Sequence, residues 1–203
     1  MGPIDVIAAL RHVLGRASVE PAAVVLADET VTWPAGTVEA IGTTGLLVPI
    51  DNDRALHCDG CEEGCLVTPT WRRPPDGRAR LVHPCHRPRE IGLVEFDPAR
   101  LRRWRVDLDR FAAWLAGAAR VVGQATVLTP GERWRLGERT IGGARRTVIL
   151  ARSSGEPPVE PGAVLLTLAD ASRPAIPVAS LMVIRGGGLA LDDASVTVAK
   201  TYK

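Results

Sequence analysis

All four cysteines of this 203-residue chain fall between positions 58 and 85. No other feature constrains the fold as tightly. The run reads His57-Cys58-Asp59-Gly60-Cys61-Glu62-Glu63-Gly64-Cys65, and Cys85 follows between His83-Pro84 and His86. Two thiolates at the Cys58-x-x-Cys61 spacing converge on one ion at about 2.3 Å, with turn amides supporting the sulfur charge. The pair needs two more ligands to close a tetrahedron. The sequence holds no second Cys-x-x-Cys, so Cys85 is joined by Cys65, His57, His83 or His86. Cys65 is favoured, because using all four cysteines leaves no stray thiol. A site closed by four protein ligands is structural, whereas a catalytic zinc keeps a position open for water. A zinc deaminase pattern of H-x-E followed by P-C-x-x-C is absent, since His86-Arg87-Pro88 follows Pro84-Cys85. Disulfides are the rival use of the thiols. The start of the chain, Met-Gly-Pro-Ile-Asp, lacks the basic run of an export signal. A cytoplasmic setting and a metal are therefore expected.

The residues around the cysteines read as a small β module. Cys65 to Trp71 and Arg78 to Cys85 are strand-like, and Pro74-Pro75-Asp76-Gly77 between them is a turn signal. Ile91 to Phe96 is a third short strand. At motif level residues 57–97 resemble a zinc ribbon or related zinc-knuckle module. The resemblance implies a structural Zn2+ that supplies folding energy the short hairpin lacks.

Charge is uneven along the chain. Residues 1–70 carry 3 basic and 10 acidic groups, residues 71–110 carry 11 and 6, and residues 111–203 carry 11 and 7. The net values of −7, +5 and +4 sum to +2. The basic island is made of arginine. Arg72, Arg73, Arg78 and Arg80 flank the turn, and Arg100 and Arg103 belong to the next elements. Guanidinium forks pair well with phosphates, and Trp71 or Trp104 offers a ring for stacking. The same arginines can also pair with the acidic first third of the chain. Lysine occurs at Lys200 and Lys203 alone, so part of the arginine excess reflects a GC-rich, bacterial type of genome.

The remaining pattern is α+β. Ile4, Ile7, Leu10, Val13 and Leu14 share a face of a helix over 2–14, with Gly15 as its stop. Pro21 opens a second helix to Ala27, a third covers 35–44, and 46–50 is extended. This order is compatible with a winged helix, yet residues 35–45 hold no Arg, Lys, Asn or Gln to read DNA. Asp97 caps a short helix to about Arg105. A longer helix follows from Asp107 or Asp109 to Val122, its core stripe Leu108, Phe111, Leu115, Ala118 and Val122. Arg133–Thr140 and Arg145–Arg152 form a hairpin about Gly142-Gly143, and 163–168, 178–185 and 189–191 are strands. Three segments are expected: a helical region over 1–50, the zinc module over 51–97, and a helix with a mixed α/β region over 98–203. No apolar run approaches the roughly 18 residues of a membrane span.

These features point to a non-enzymatic zinc-binding adaptor or regulator that recognises a protein partner. Nucleic-acid binding by the Arg-rich hairpin and following helix is the alternative. An enzyme with a site near Asp170, Asp192 and Asp193 is the third reading, and an exposed basic cluster, an apolar patch or a deep C-terminal pocket separates the three.

Overall fold

The periodic apolar face at the start of the chain forms the helix Ile4–Val19. A computed structural model describes residues 4–52, 55–60, 64–85, 92–153, 162–168, 175–185 and 188–192. Helices and several sheets make the protein α+β. The first helix runs past Gly15 because Ala17 continues the stripe of Leu10, Val13 and Leu14, all fully buried. The second expected helix is replaced by the strand Val24–Leu26 and a one-turn helix, Ala27–Thr30. The Val24-Val25 pair is β-branched, and its stiff side chains prefer the extended backbone. The third helix is confined to Thr37–Gly42, and Leu47–Ile50 is extended.

The chain divides into two compact units. One comprises residues 1–23, 32–48 and 105–203, and the other residues 24–31 and 49–104. The first is built on a five-stranded sheet. Its centre is the hairpin Arg133–Ile141 with Ala144–Ala151, joined by Gly142 and Gly143, both at positive φ as a two-residue hairpin turn demands. Ala144–Ala151 pairs in parallel with Val164–Thr167, which pairs in parallel with Ile176–Pro177. Val148 to Ala151 and Val164 to Thr167 are buried on both faces. Their continuous apolar runs are the signature of a sheet covered on both sides. The helix Leu108–Ala118 packs against Arg133–Ile141 through this unit's core. Asp107 caps it by accepting from the Arg110 amide at 3.0 Å, and Trp134 Nε1 donates to Asp109 Oδ1 at 2.7 Å. The helix stops short of Val122 because Arg120 turns to a φ of 50°. The expected strand over 178–185 begins as a 3-10 turn, Val178–Leu181, and becomes a strand at Met182–Arg185.

In the second unit the hairpin Leu56–His57 with Leu66–Val67 precedes a three-stranded antiparallel sheet. The sheet pairs Thr70–Arg72 with Arg80–Pro84, and Arg80–Pro84 with Leu93–Phe96. The single strand expected over 65–71 is split by Pro69, which has no amide for a ladder. The Pro74 carbonyl accepts from the Gly77 amide at 2.9 Å and closes the turn. Asp97 caps a 3-10 helix, Pro98–Leu101, which ends four residues earlier than expected. Arg103–Val106 is instead a strand with Arg105 outward and Val106 buried, a period of two. No helix among the described residues is long and apolar enough to cross a membrane.

Gly137 breaks the register of the central hairpin. Its φ is 139°, and a Cβ there would lie 2.6 Å from the Val122 carbonyl and 2.9 Å from the Val121 side chain. The Val122 carbonyl meanwhile accepts from the Glu138 amide at 2.9 Å. Gly137→Ala is expected to cost about 2–3 kcal/mol, because strained backbone and a clash combine. Chemical denaturation of the two proteins measures this, and an unchanged midpoint would contradict the account.

Candidate metal centre and basic face

The cysteines stand where two hairpin loops leave their ladders. The first ladder pairs Leu56 with Val67 and His57 with Leu66. The Cys58 amide then donates to the Cys65 carbonyl at 2.8 Å, so Cys58 and Cys65 oppose one another at the mouth of the loop. Alternation along the strands puts both on the face of Leu56 and Val67, which belong to the unit's core. Cys58 is 3% exposed and Cys65 is half-buried. Cys61, Glu62 and Glu63, inside this loop, lie outside the described residues. Beside the loop, His57 Nδ1 donates to the Gly64 carbonyl at 2.9 Å, which fixes its tautomer.

The second loop opens in the same way. The Cys85 amide donates to the Gly92 carbonyl at 3.0 Å, beyond the pair Pro84 and Leu93. Leu81, His83 and Cys85 alternate onto one face, and Leu81 is part of the core with Leu56, Phe96 and Leu101. His86 lies outside the described residues. The structure thus brings Cys58 and Cys65 together and sets Cys85 at a second loop mouth. Among the described residues no three His, Cys, Asp or Glu side chains gather as a metal cage.

Arg100 ties the first cysteine loop to the rest of the unit. Its Nε donates to Asp28 Oδ1 at 2.8 Å and its Nη2 to Asp28 Oδ2 at 3.1 Å, a two-pronged pair. Its Nη1 donates to Asp59 Oδ2, and the guanidinium lies 5.8 Å over the Phe96 ring. Asp59 directly follows Cys58, so the loop is held at its first turn. The hydrogen bond from Arg100 keeps the Asp28 carboxyl below its ordinary value, against a smaller opposing effect of burial. The same bond raises the Arg100 guanidinium above its own.

The other arginines divide by what they touch. Arg80 pairs with Asp76 and with Glu95. Arg103 Nε donates to the Asp51 carbonyl. Arg72, Arg73 and Arg78 are exposed, and no carboxylate among the described residues pairs with their side chains. Arg72 lies directly opposite Arg80 in the ladder, a like-charge pair that sheets ordinarily avoid. Alternation sends Arg72, Arg80, Val82 and Glu95 to the face away from the core. There Arg72, Arg73, Arg80, Val82, Leu93 and Glu95 line a groove of about 430 Å³. Trp71 points to the other side of the edge strand, yet is 57% exposed. Sequence reasoning pools all six arginines into one surface, because long-range partners such as Asp28 leave no local signal. Of the C-terminal acids, Asp192 is half-buried, and Asp170 and Asp193 lie outside the described residues.

Asp28→Asn is expected to destabilise the protein at neutral pH by about 1 kcal/mol, or roughly 3 °C. Asp28 is depressed in the folded state, so its contribution is complete above the unfolded value of about 3.9 and fades as pH falls through the folded one. Melting curves of the two proteins should converge below that range. A gap that persists unchanged into acid would show that the ion pair is not its source.

Searches against protein-family models, curated proteins and solved structures find no match to this chain, so its reading rests on its own residues.

Proposed function

We propose that this chain is a non-enzymatic, zinc-binding regulatory protein of the cytoplasm whose β module grips an extended anionic partner, single-stranded nucleic acid. Zinc in this reading is structural and is held by Cys58, Cys61, Cys65 and Cys85, with His57, His83 or His86 as the substitute for Cys65. The thin core of the module supports it. Among the described residues Leu56, Leu81, Phe96 and Leu101 form its buried cluster, with Val67 and Val94 packed against it, and units this small usually need a staple. A zinc would also give the facing pair Cys58 and Cys65 a role that packing alone does not require.

The observation that carries the choice of partner is the groove on the open sheet face. Arg72 and Arg73 form its rim, and Val82 and the exposed Leu93 form its floor. A phosphate backbone neutralises Arg72 and Arg73, whose side chains pair with no carboxylate among the described residues, while an unstacked base lies against the exposed Leu93. An acidic segment of a partner protein is the second reading. The exposed edge strand Thr70–Arg72 favours it, since an extended peptide can add to such an edge.

Fluorescence anisotropy of a labelled single-stranded oligonucleotide, titrated with the protein at several salt concentrations, tests this directly. Affinity should fall steeply with salt. Replacing Arg72, Arg73 and Arg78 with Ser should weaken binding at least about tenfold and flatten the log–log salt slope by about 2, at roughly 0.7 per lost phosphate contact. Equal binding by both proteins, or none by either, would sink the nucleic-acid reading. Binding of a poly-glutamate peptide in its place would move the assignment to a protein partner.

A further inference from the structure

Two thiols face one another at the mouth of the first cysteine loop, one buried and one half-exposed. The ladder pairs Leu56 with Val67 and His57 with Leu66, so the next opposed residues are Cys58 and Cys65. The Cys58 amide donates to the Cys65 carbonyl at 2.8 Å, which makes them a hydrogen-bonded antiparallel pair. Residues so opposed stand about 5.5 Å apart at Cα, with both side chains on one face. A disulfide spans about 4.4–6.8 Å between Cα atoms, so this pair can be bridged without moving the strands. The residues beside the pair are pinned. Asp59, after Cys58, accepts from Arg100 Nη1, and the carbonyl of Gly64, before Cys65, accepts from His57 Nδ1 at 2.9 Å. Cys58 is 3% exposed, whereas Cys65 is within reach of a small solute. Neither is in a disulfide. Cys85 belongs to a different ladder, where its amide donates to the Gly92 carbonyl.

We propose that Cys58 and Cys65 are a reversible redox pair, joined as a cross-strand disulfide when a hydroperoxide reaches the loop. The accessible Cys65 reacts first. Its thiolate sulfur attacks one peroxide oxygen, the O–O bond breaks, and the departing hydroxide takes up a proton as water. Cys65 is left as a sulfenic acid. Cys58, shielded from the oxidant and directly opposite, then attacks the Cys65 sulfur. The S–S bond forms, the S–O bond breaks, and hydroxide again leaves as water. One peroxide is reduced to water while two thiols are oxidised to one disulfide. A thiol reductant reverses the step by exchange, so the bond is a switch and not a permanent staple. The cross-link needs only the facing pair. Its consequence rests on the zinc reading above: the disulfide withdraws Cys58 and Cys65 from the metal, and Cys61 and Cys85 alone release it.

Peptide mapping of the full chain tests the pairing. The folded protein is treated with hydrogen peroxide and its remaining thiols are blocked with N-ethylmaleimide. Cleavage after Arg54, Arg72 and either Glu62 or Glu63 puts Cys58 and Cys61 on one fragment and Cys65 on another. The two fragments should be linked, with the maleimide on Cys61, and dithiothreitol should separate them. Oxidation in denaturant should lower the yield of this link at least about twofold, because loop closure then spreads it over all the cysteines. Thiols that pass to sulfinic acid without a link overturn the proposal. So does a Cys65 joined to Cys61 or Cys85, or an equal yield from the unfolded chain. Zinc is measured on the same samples. Zinc released in step with the link supports the pair and the metal together. The link in folded protein that never held zinc supports the pair and overturns the metal. Zinc retained with every thiol intact upholds the metal and overturns the pair.

Discussion

The arrangement of the β module depends on the Arg100 guanidinium more than on any other polar group. It spans three pieces of chain that are distant in sequence. Asp28 lies on the one-turn helix Ala27–Thr30, Asp59 on the cysteine loop, and Arg100 itself on the capped turn Pro98–Leu101. A lysine could not replace it, because the two-pronged grip on Asp28 uses the planar fork while a further nitrogen reaches Asp59. The pair is partly buried, with Arg100 at 20% side-chain exposure, so water screens it less than it screens the arginines of the hairpin tip.

That constraint sorts the basic island. Arginines that hold the module together are spent on carboxylates and carbonyls of the same unit: Arg100 on Asp28 and Asp59, Arg80 on Asp76 and Glu95, and Arg103 on the Asp51 carbonyl. Arg72, Arg73 and Arg78 face solvent at the other end of the sheet. In the proposed reading, structural and recognition roles are thereby divided between residues of one type. The proposed zinc belongs to the structural side. It would close two loops that the ladders bring only as far as Cys58, Cys65 and Cys85.

Local signals in the sequence are legible where turn chemistry or period decides. The Pro74–Gly77 turn, the Gly142-Gly143 hairpin and the Asp97 and Asp107 caps all form where expected, because each is fixed by residues within four positions. Elements set by distant partners are not legible. Val24–Leu26 reads as part of a helix until strand-forming valines are given weight, and Arg103–Val106 reads as the tail of a helix. The bulge at Gly137 follows from the close approach of Val121 and Val122, which no local pattern announces. Of the candidate site, the clustering of the cysteines was legible in the sequence, but the hairpin Leu56–His57 with Leu66–Val67 that closes the first loop was not. The opposition of Arg72 and Arg80 was not, since it depends on register across the hairpin.

The claim that organises the account is that a metal completes the module. Elemental analysis of the protein purified under reducing conditions measures it without any assumption about a partner. The account predicts zinc at one per chain, retained through gel filtration and released by a strong chelator together with loss of the module's β structure. Protein that is metal-free yet fully folded would contradict it.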